Sequence, residues 1–125
     1  MPVTYELDLQ RGLIRTRCTG PVVFAEVLEH FKALEADPAC PDRLDVLLDL
    51  SGIINLPSAG QVKAVAAETN RLLSRVHWGR CAIVAPSDVI YGVSRMFEMI
   101  SEAYFSGLRV FRSYDEAEAW LVAQS

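Results

Sequence analysis

From Leu13 to Cys18 the side chains alternate: Leu13, Arg15 and Arg17 fall on one side, Ile14, Thr16 and Cys18 on the other. A period of two reads as a strand. The preceding "TYELDLQ" is strand-like as well, and Arg11-Gly12 between the two predicts a β-hairpin. Gly20-Pro21 ends the second strand. The period then changes. From Val23 to Ala36 the apolar positions Val27, Leu28, Phe31 and Leu34 keep helical spacing, with Glu26, Glu29 and Lys32 opposite. "DPACPDR" breaks that helix. "LDVLLDL" is a continuous apolar run, as expected of a strand covered on both faces.

A second helix is predicted from Ser58 to Val76, with the stripe Val62, Val65, Ala66, Thr69, Leu72, Leu73 and Val76. Gly79 is expected to end it, and "RCAIVAP" to follow as a buried strand. Pro86-Ser87-Asp88 opens a third helix to about Phe105, which Gly107 stops. "LRVF" is a last strand. Ser113 and Glu116, at capping-box spacing, open a last helix with the face Ala117, Trp120 and Leu121. The order β-β-α-β-α-β-α-β-α predicts a single α/β domain over residues 1–125, with a mostly parallel mixed sheet and helices packed on it. Strand-to-helix turns then gather at the carboxyl ends of the parallel strands, where such sheets tend to carry function.

Composition narrows the function classes. The chain has 125 residues, 51% of them hydrophobic and 22% charged, which fits one folded core. The net charge is −4, which argues against nucleic acid as a partner. Arg11, Arg15 and Arg17 read as a solvated strand face. No apolar run approaches the ~20 residues of a membrane helix, and the first residues lack a signal pattern, so a cytoplasmic location is expected. Cys18, Cys40 and Cys81 have no C-x-x-C spacing. Cys18 and Cys81 lie in strand-like runs and are expected to be buried; Cys40 is expected to meet solvent.

Ser58 stands where a strand and an apolar loop become a helix. With Gln61 it forms S-x-x-Q, a capping box in which the serine hydroxyl accepts from the first turn and Gln61 reaches back. The same position suits a phosphate, because a helix start offers free N–H groups and the positive end of the dipole. Gly60 would let the backbone come close.

"VLLDLSGIINLPSAGQVKAV" resembles the signature of the STAS family, the anti-sigma-factor antagonists, through Asp49, Leu50, Ser51, Gly52, Ser58 and Gly60. "IRTRCTGPVVFAEVLEHF", "GRCAIVAPSDVIYGVSRMFEM" and "VFRSYDEAEAWL" are similar to further strands and helices of that family, so the likeness spans nearly the whole chain. It implies a STAS-like (SpoIIAA-like) fold and a regulatory module that binds a protein, such as a kinase-type anti-sigma factor. It also makes Ser58 the equivalent of the phosphorylated serine. Pro57 replaces the family's aspartate and Ala59 its second serine, as in standalone SpoIIAA-like proteins of bacteria with an eroded phosphorylation motif. Its relation to CRAL-TRIO-type domains implies the alternative of a small-molecule or lipid carrier. The expected recognition edge is Asp49, Ser51, Pro57, Ser58, Gly60, Ser87 and Asp88.

Other chemistry is sparse. His30 and His77 have no metal spacing and read as surface residues. Asp45 and Asp49, four apart on a strand, face the same way, but no partner completes a catalytic set. No catalytic residue, cofactor or metal is expected. The third helix is apolar on more than one side. Val89, Val93, Met96, Phe97 and Ile100 are expected to face the sheet, leaving Tyr91 and Met99 as a surface for a homodimer or partner. A partner module predicts a flat edge with little cavity, and a carrier predicts a closed apolar pocket of ~300 Å³ or more.

Overall fold

The computed structural model describes residues 3–123. The elements are β1 (Val3–Asp8), β2 (Leu13–Gly20), α1 (Phe24–Ala36), β3 (Arg43–Ile53), α2 (Ala59–Arg71), β4 (His77–Val84), α3 (Asp88–Ser101), β5 (Gly107–Phe111) and α4 (Tyr114–Val122). One sheet runs in the order β1-β2-β3-β4-β5. β1 is antiparallel to β2, and the other pairs are parallel. The expected order and the mixed, mostly parallel sheet are therefore present. The hairpin turns through Gly12 and the second strand ends at Gly20; both have positive φ, which glycine adopts without a Cβ clash.

Three parallel crossovers step the same way across the sheet. Right-handed connections then place α1, α2 and α3 on one face. The side chains divide accordingly. Phe31 and Leu34 of α1 pack with Ile14, Leu44 and Trp78. Ile90 and Phe97 of α3 pack on Cys81, Ile83, Val46 and Leu48. α4 returns beneath the other face, where Ala117 and Leu121 meet Leu13, Leu47, Ala82 and Val84. Both faces of β3 and β4 are thus covered, which accounts for their unbroken apolar runs. Leu44, Leu47, Leu72 and Ile83 are fully buried, each worth ~1.5–3 kcal/mol of transfer free energy. On β1, the Tyr5 hydroxyl donates to Asp37 at 2.7 Å and ties this edge strand to the end of α1.

Several boundaries differ from the pattern. The second helix gives way at Leu72 to a 3₁₀ turn, Leu72–Ser74, and leaves Leu73 exposed. β4 begins at His77, so Gly79 lies inside a strand rather than at a helix end. A bulge between Leu44 and Val46 turns the Asp45 carboxylate toward β4, where Oδ1 accepts from the Arg80 N–H at 2.8 Å. A Cβ on residue 79 would collide with that oxygen. A side chain there would have to displace the Asp45 carboxylate from its hydrogen bond, so the glycine serves the strand and its breaker signal is misleading here.

The third helix keeps part of the expected face, since Val93 and Phe97 turn inward, but not Val89 or Ile100. Its buried positions are Ile90, Ser94 and Ser101, with Phe97 packed between. Val89 is 59% exposed and Ile100 36%. Counting apolar residues misplaces part of the face because two of its inward positions are serines. Small side chains there let the helix lie close to its neighbours.

Candidate functional site

Helices α1–α3 do not close completely on the sheet. A cavity of about 210 Å³ remains between them. Val46, Leu48 and Ile83 form its floor, and Phe31, Val62 and Phe97 its roof. Trp78 and Phe105, with ring centroids 5.9 Å apart, close it at the amino ends of the strands. At the carboxyl ends its walls are the partly exposed Phe24, Asn55, Pro57 and Gln61. The mouth therefore opens at the edge that holds Ser58.

The mouth is pinned by Asn55. Its Oδ1 accepts from the Val22 N–H at 2.8 Å, and its Nδ2 donates to the Val22 carbonyl at 2.7 Å. This paired contact locks the β3–α2 loop to the β2–α1 loop. Asn55 was not singled out from sequence, where it is one polar residue in an apolar loop. Pro57, read above only as a missing aspartate, contributes apolar wall.

The cavity wall is nearly free of charge. Lys, Arg, Asp and Glu are absent from its lining. His30 faces it from α1 and is not the surface residue expected. Its Nε2 lies 3.5 Å from Thr16 Oγ1, and Tyr5 and Phe31 pack at its ring with centroids 5.2 and 5.8 Å away. Desolvation among these groups pushes the imidazole down to about 4, so it is neutral at pH 7. Burial pushes the Cys18 thiol up to about 11 and Cys81 higher still, so both line the cavity as thiols. Cys40, expected in solvent, is instead buried against α1 and β3. The loop folds inward and Cys40 acts as a small apolar residue.

Ser58 caps α2 as its spacing predicts. Oγ accepts from the Gln61 N–H at 3.1 Å, and Gln61 Oε1 accepts from the Ser58 N–H at 2.9 Å. A Cβ on residue 60 would meet only the Ser58 Oγ, at 3.9 Å. Ser51 is exposed, whereas Asp49 is buried, accepting from the Ser51 N–H at 3.0 Å and hydroxyl at 2.5 Å while Arg17 approaches at 3.5 Å. Asp45 and Asp49 are each engaged locally and do not converge. Arg15 pairs with Asp8 and Glu118.

Ser87 caps α3 through the Ile90 N–H, and Asp88 binds Arg112 at 2.6 Å. That guanidinium lies 4.2 Å over the Tyr91 ring, which is half-buried and packed on the core. Tyr91 therefore has the cover that its position in the sequence did not suggest. Met99 is 76% exposed. His77 is exposed at the start of β4. At the carboxyl ends of the strands, Val23, Ile54 and Leu56 are exposed apolar residues of the β2–α1 and β3–α2 loops, and Val89 is exposed in the first turn of α3. Among the described residues, no three His, Cys, Asp or Glu side chains are grouped to hold a metal ion. No helix among them is long and apolar enough to cross a membrane.

The sheet order, with α1–α3 on one face and α4 on the other, defines a SpoIIAA-like α/β fold. A solved structure shares it: an uncharacterized protein of the DUF3478 family with a SpoIIAA-like fold from Shewanella loihica PV-4. The superposition has a TM-score of 0.61 at 15% identity and covers 95% of this chain and 91% of that one. No protein-family model matches the sequence, and no curated protein does.

Proposed function

We propose that this protein binds a small apolar ligand in the cavity between its helices and sheet. The observation that carries the reading is an apolar void of about 210 Å³ whose mouth lies at the carboxyl ends of the parallel strands, where sheets of this kind tend to bind ligands. A void of this size forfeits packing contacts, at roughly 24 cal/mol per Å³ when it is made by truncation, and a ligand would restore them. It is smaller than the ~300 Å³ set above for a carrier. The size favours a compact ligand over a whole lipid. Native mass spectrometry of protein purified gently from its own cells tests the reading. A stoichiometric adduct lost on denaturation supports it. Bare protein that also fails to bind added hydrophobic probes refutes it.

A second reading, a regulatory module for a protein partner such as a kinase-type anti-sigma factor, is supported by the exposed apolar residues Val23, Ile54, Leu56 and Val89 in the loops and helix start at the carboxyl ends of the strands, the edge that also carries Ser58. The two readings are compatible, since a ligand at the mouth would alter the same edge. Binding of a partner that Leu56→Asp abolishes, with the fold intact, supports the second. Binding that ignores both Leu56→Asp and Ser58→Asp refutes it.

A further inference from the structure

The chemistry of the cavity wall specifies its ligand more closely. Charged side chains are absent from the lining, and its titratable members, His30, Cys18 and Cys81, are held neutral at pH 7. A buried ion without a partner or hydrogen bonds is strongly disfavoured. A carboxylate or ammonium inside this void would meet no opposite charge, and the one free hydroxyl could not replace its hydration shell. The polar groups that remain are mostly occupied. Thr16 faces His30, and the Thr69 hydroxyl donates to the Val65 carbonyl at 3.0 Å. Ser94 is the exception. It is 3% exposed, lines the cavity from α3, and its Oγ has no hydrogen-bond partner among the described residues. Buried hydroxyls are rarely left in that state.

Size gives the other constraint. An apolar cavity of about 150 Å³ takes benzene, so one of this volume suits a ligand of about eight to ten non-hydrogen atoms. We infer that the cavity selects an uncharged, compact apolar molecule of that size whose single hydroxyl or carbonyl hydrogen-bonds to Ser94. This rests on the reading of the void as a ligand site, and it names the class of ligand.

Isothermal titration calorimetry at pH 7 with octan-1-ol, dodecan-1-ol and octanoate separates the two levels. Octan-1-ol is expected to bind. Octanoate, nearly the same shape but charged, should bind at least about a hundredfold more weakly. Ser94→Ala should weaken octan-1-ol by about two- to tenfold, the worth of one hydrogen bond, and leave the affinity for naphthalene unchanged. Val65→Phe or Val93→Phe, each filling the void, should abolish binding; two variants guard against one misfolding.

A methylene that finds burial adds about fourfold in affinity. Affinity should therefore flatten between octan-1-ol and dodecan-1-ol. Octanoate binding as tightly as octan-1-ol, with loss in Val65→Phe, overturns the uncharged ligand and leaves the cavity reading standing. A full fourfold gain per methylene overturns the size limit, and an unchanged Ser94→Ala overturns the hydrogen bond. No binding of any of these probes removes the cavity reading itself.

Discussion

Acidification should unlock the wall of the cavity through His30. Its imidazole, ordinarily near 6.5, is held down to about 4 in the folded protein because Tyr5, Phe31 and the cavity deprive it of water. The unfolded chain takes up this proton near 6.5, the folded protein only near 4. As pH falls through that window the unfolded state binds more protons, so stability is lost; above 6.5 the contribution is level. Two and a half units at ~1.4 kcal/mol each would give roughly 3 kcal/mol. The ring is only half-buried and keeps some access to water, so ~2 kcal/mol is the expectation. Urea denaturation of wild type and His30→Gln between pH 7 and pH 4 is the assay. Groups common to both proteins cancel in the difference. That difference should narrow by ~2 kcal/mol as pH falls from 6.5 to 4. Parallel stability curves across the window would refute the reasoning and place His30 in solvent.

Three further outcomes follow from particular contacts. Ser58→Ala removes one half of a reciprocal pair and should cost ~1 kcal/mol, Ser58→Gly a few tenths, and Ser58→Asp almost nothing, as read by urea midpoints. Equal stability of Ser58→Ala and wild type would exclude the cap. An aromatic disulfide reagent should label Cys18, Cys40 and Cys81 only at the rate of unfolding, because all three are buried; one fast thiol in native protein would contradict this placement. If copies of the chain associate through α3, Met99→Asp should shift sedimentation velocity toward monomer at unchanged stability, since Met99 is exposed; a wild-type monomer at high micromolar concentration would remove the dimer.

The fold was legible because its two periods differ so clearly. Alternation in 13–18 marked β2 as a strand with two distinct sides, and the unbroken runs in β3 and β4 marked strands covered twice. The cap at Ser58 was legible because it is local: donor and acceptor lie three residues apart. What failed depended on space. Ser94 and Ser101 reach the interior because they are small, which no hydrophobic count registers, so the face of α3 was drawn right at Val93 and Phe97 but wrong at Val89 and Ile100. His30 and Cys40 read as surface residues from their neighbours in sequence; burial is set by Tyr5, Thr16 and Leu44, far away in the chain. The cavity is the extreme case. A void has no residues of its own, and only the assembled spacing of three helices and a sheet reveals it. Asn55 was missed for the same reason, since its partner Val22 lies across the mouth.

The most direct test of ligand binding in this cavity is a methyl NMR titration with naphthalene, an uncharged probe of the right bulk. Val46, Leu48, Val62 and Ile83 line the void, whereas Leu13 and Leu47 of the sheet and Leu121 of α4 pack together on the opposite face. Saturable shifts in the first group, with the second unmoved, are the predicted result. Shifts confined to the α4 face, or none up to the solubility limit of the probe, would contradict the account.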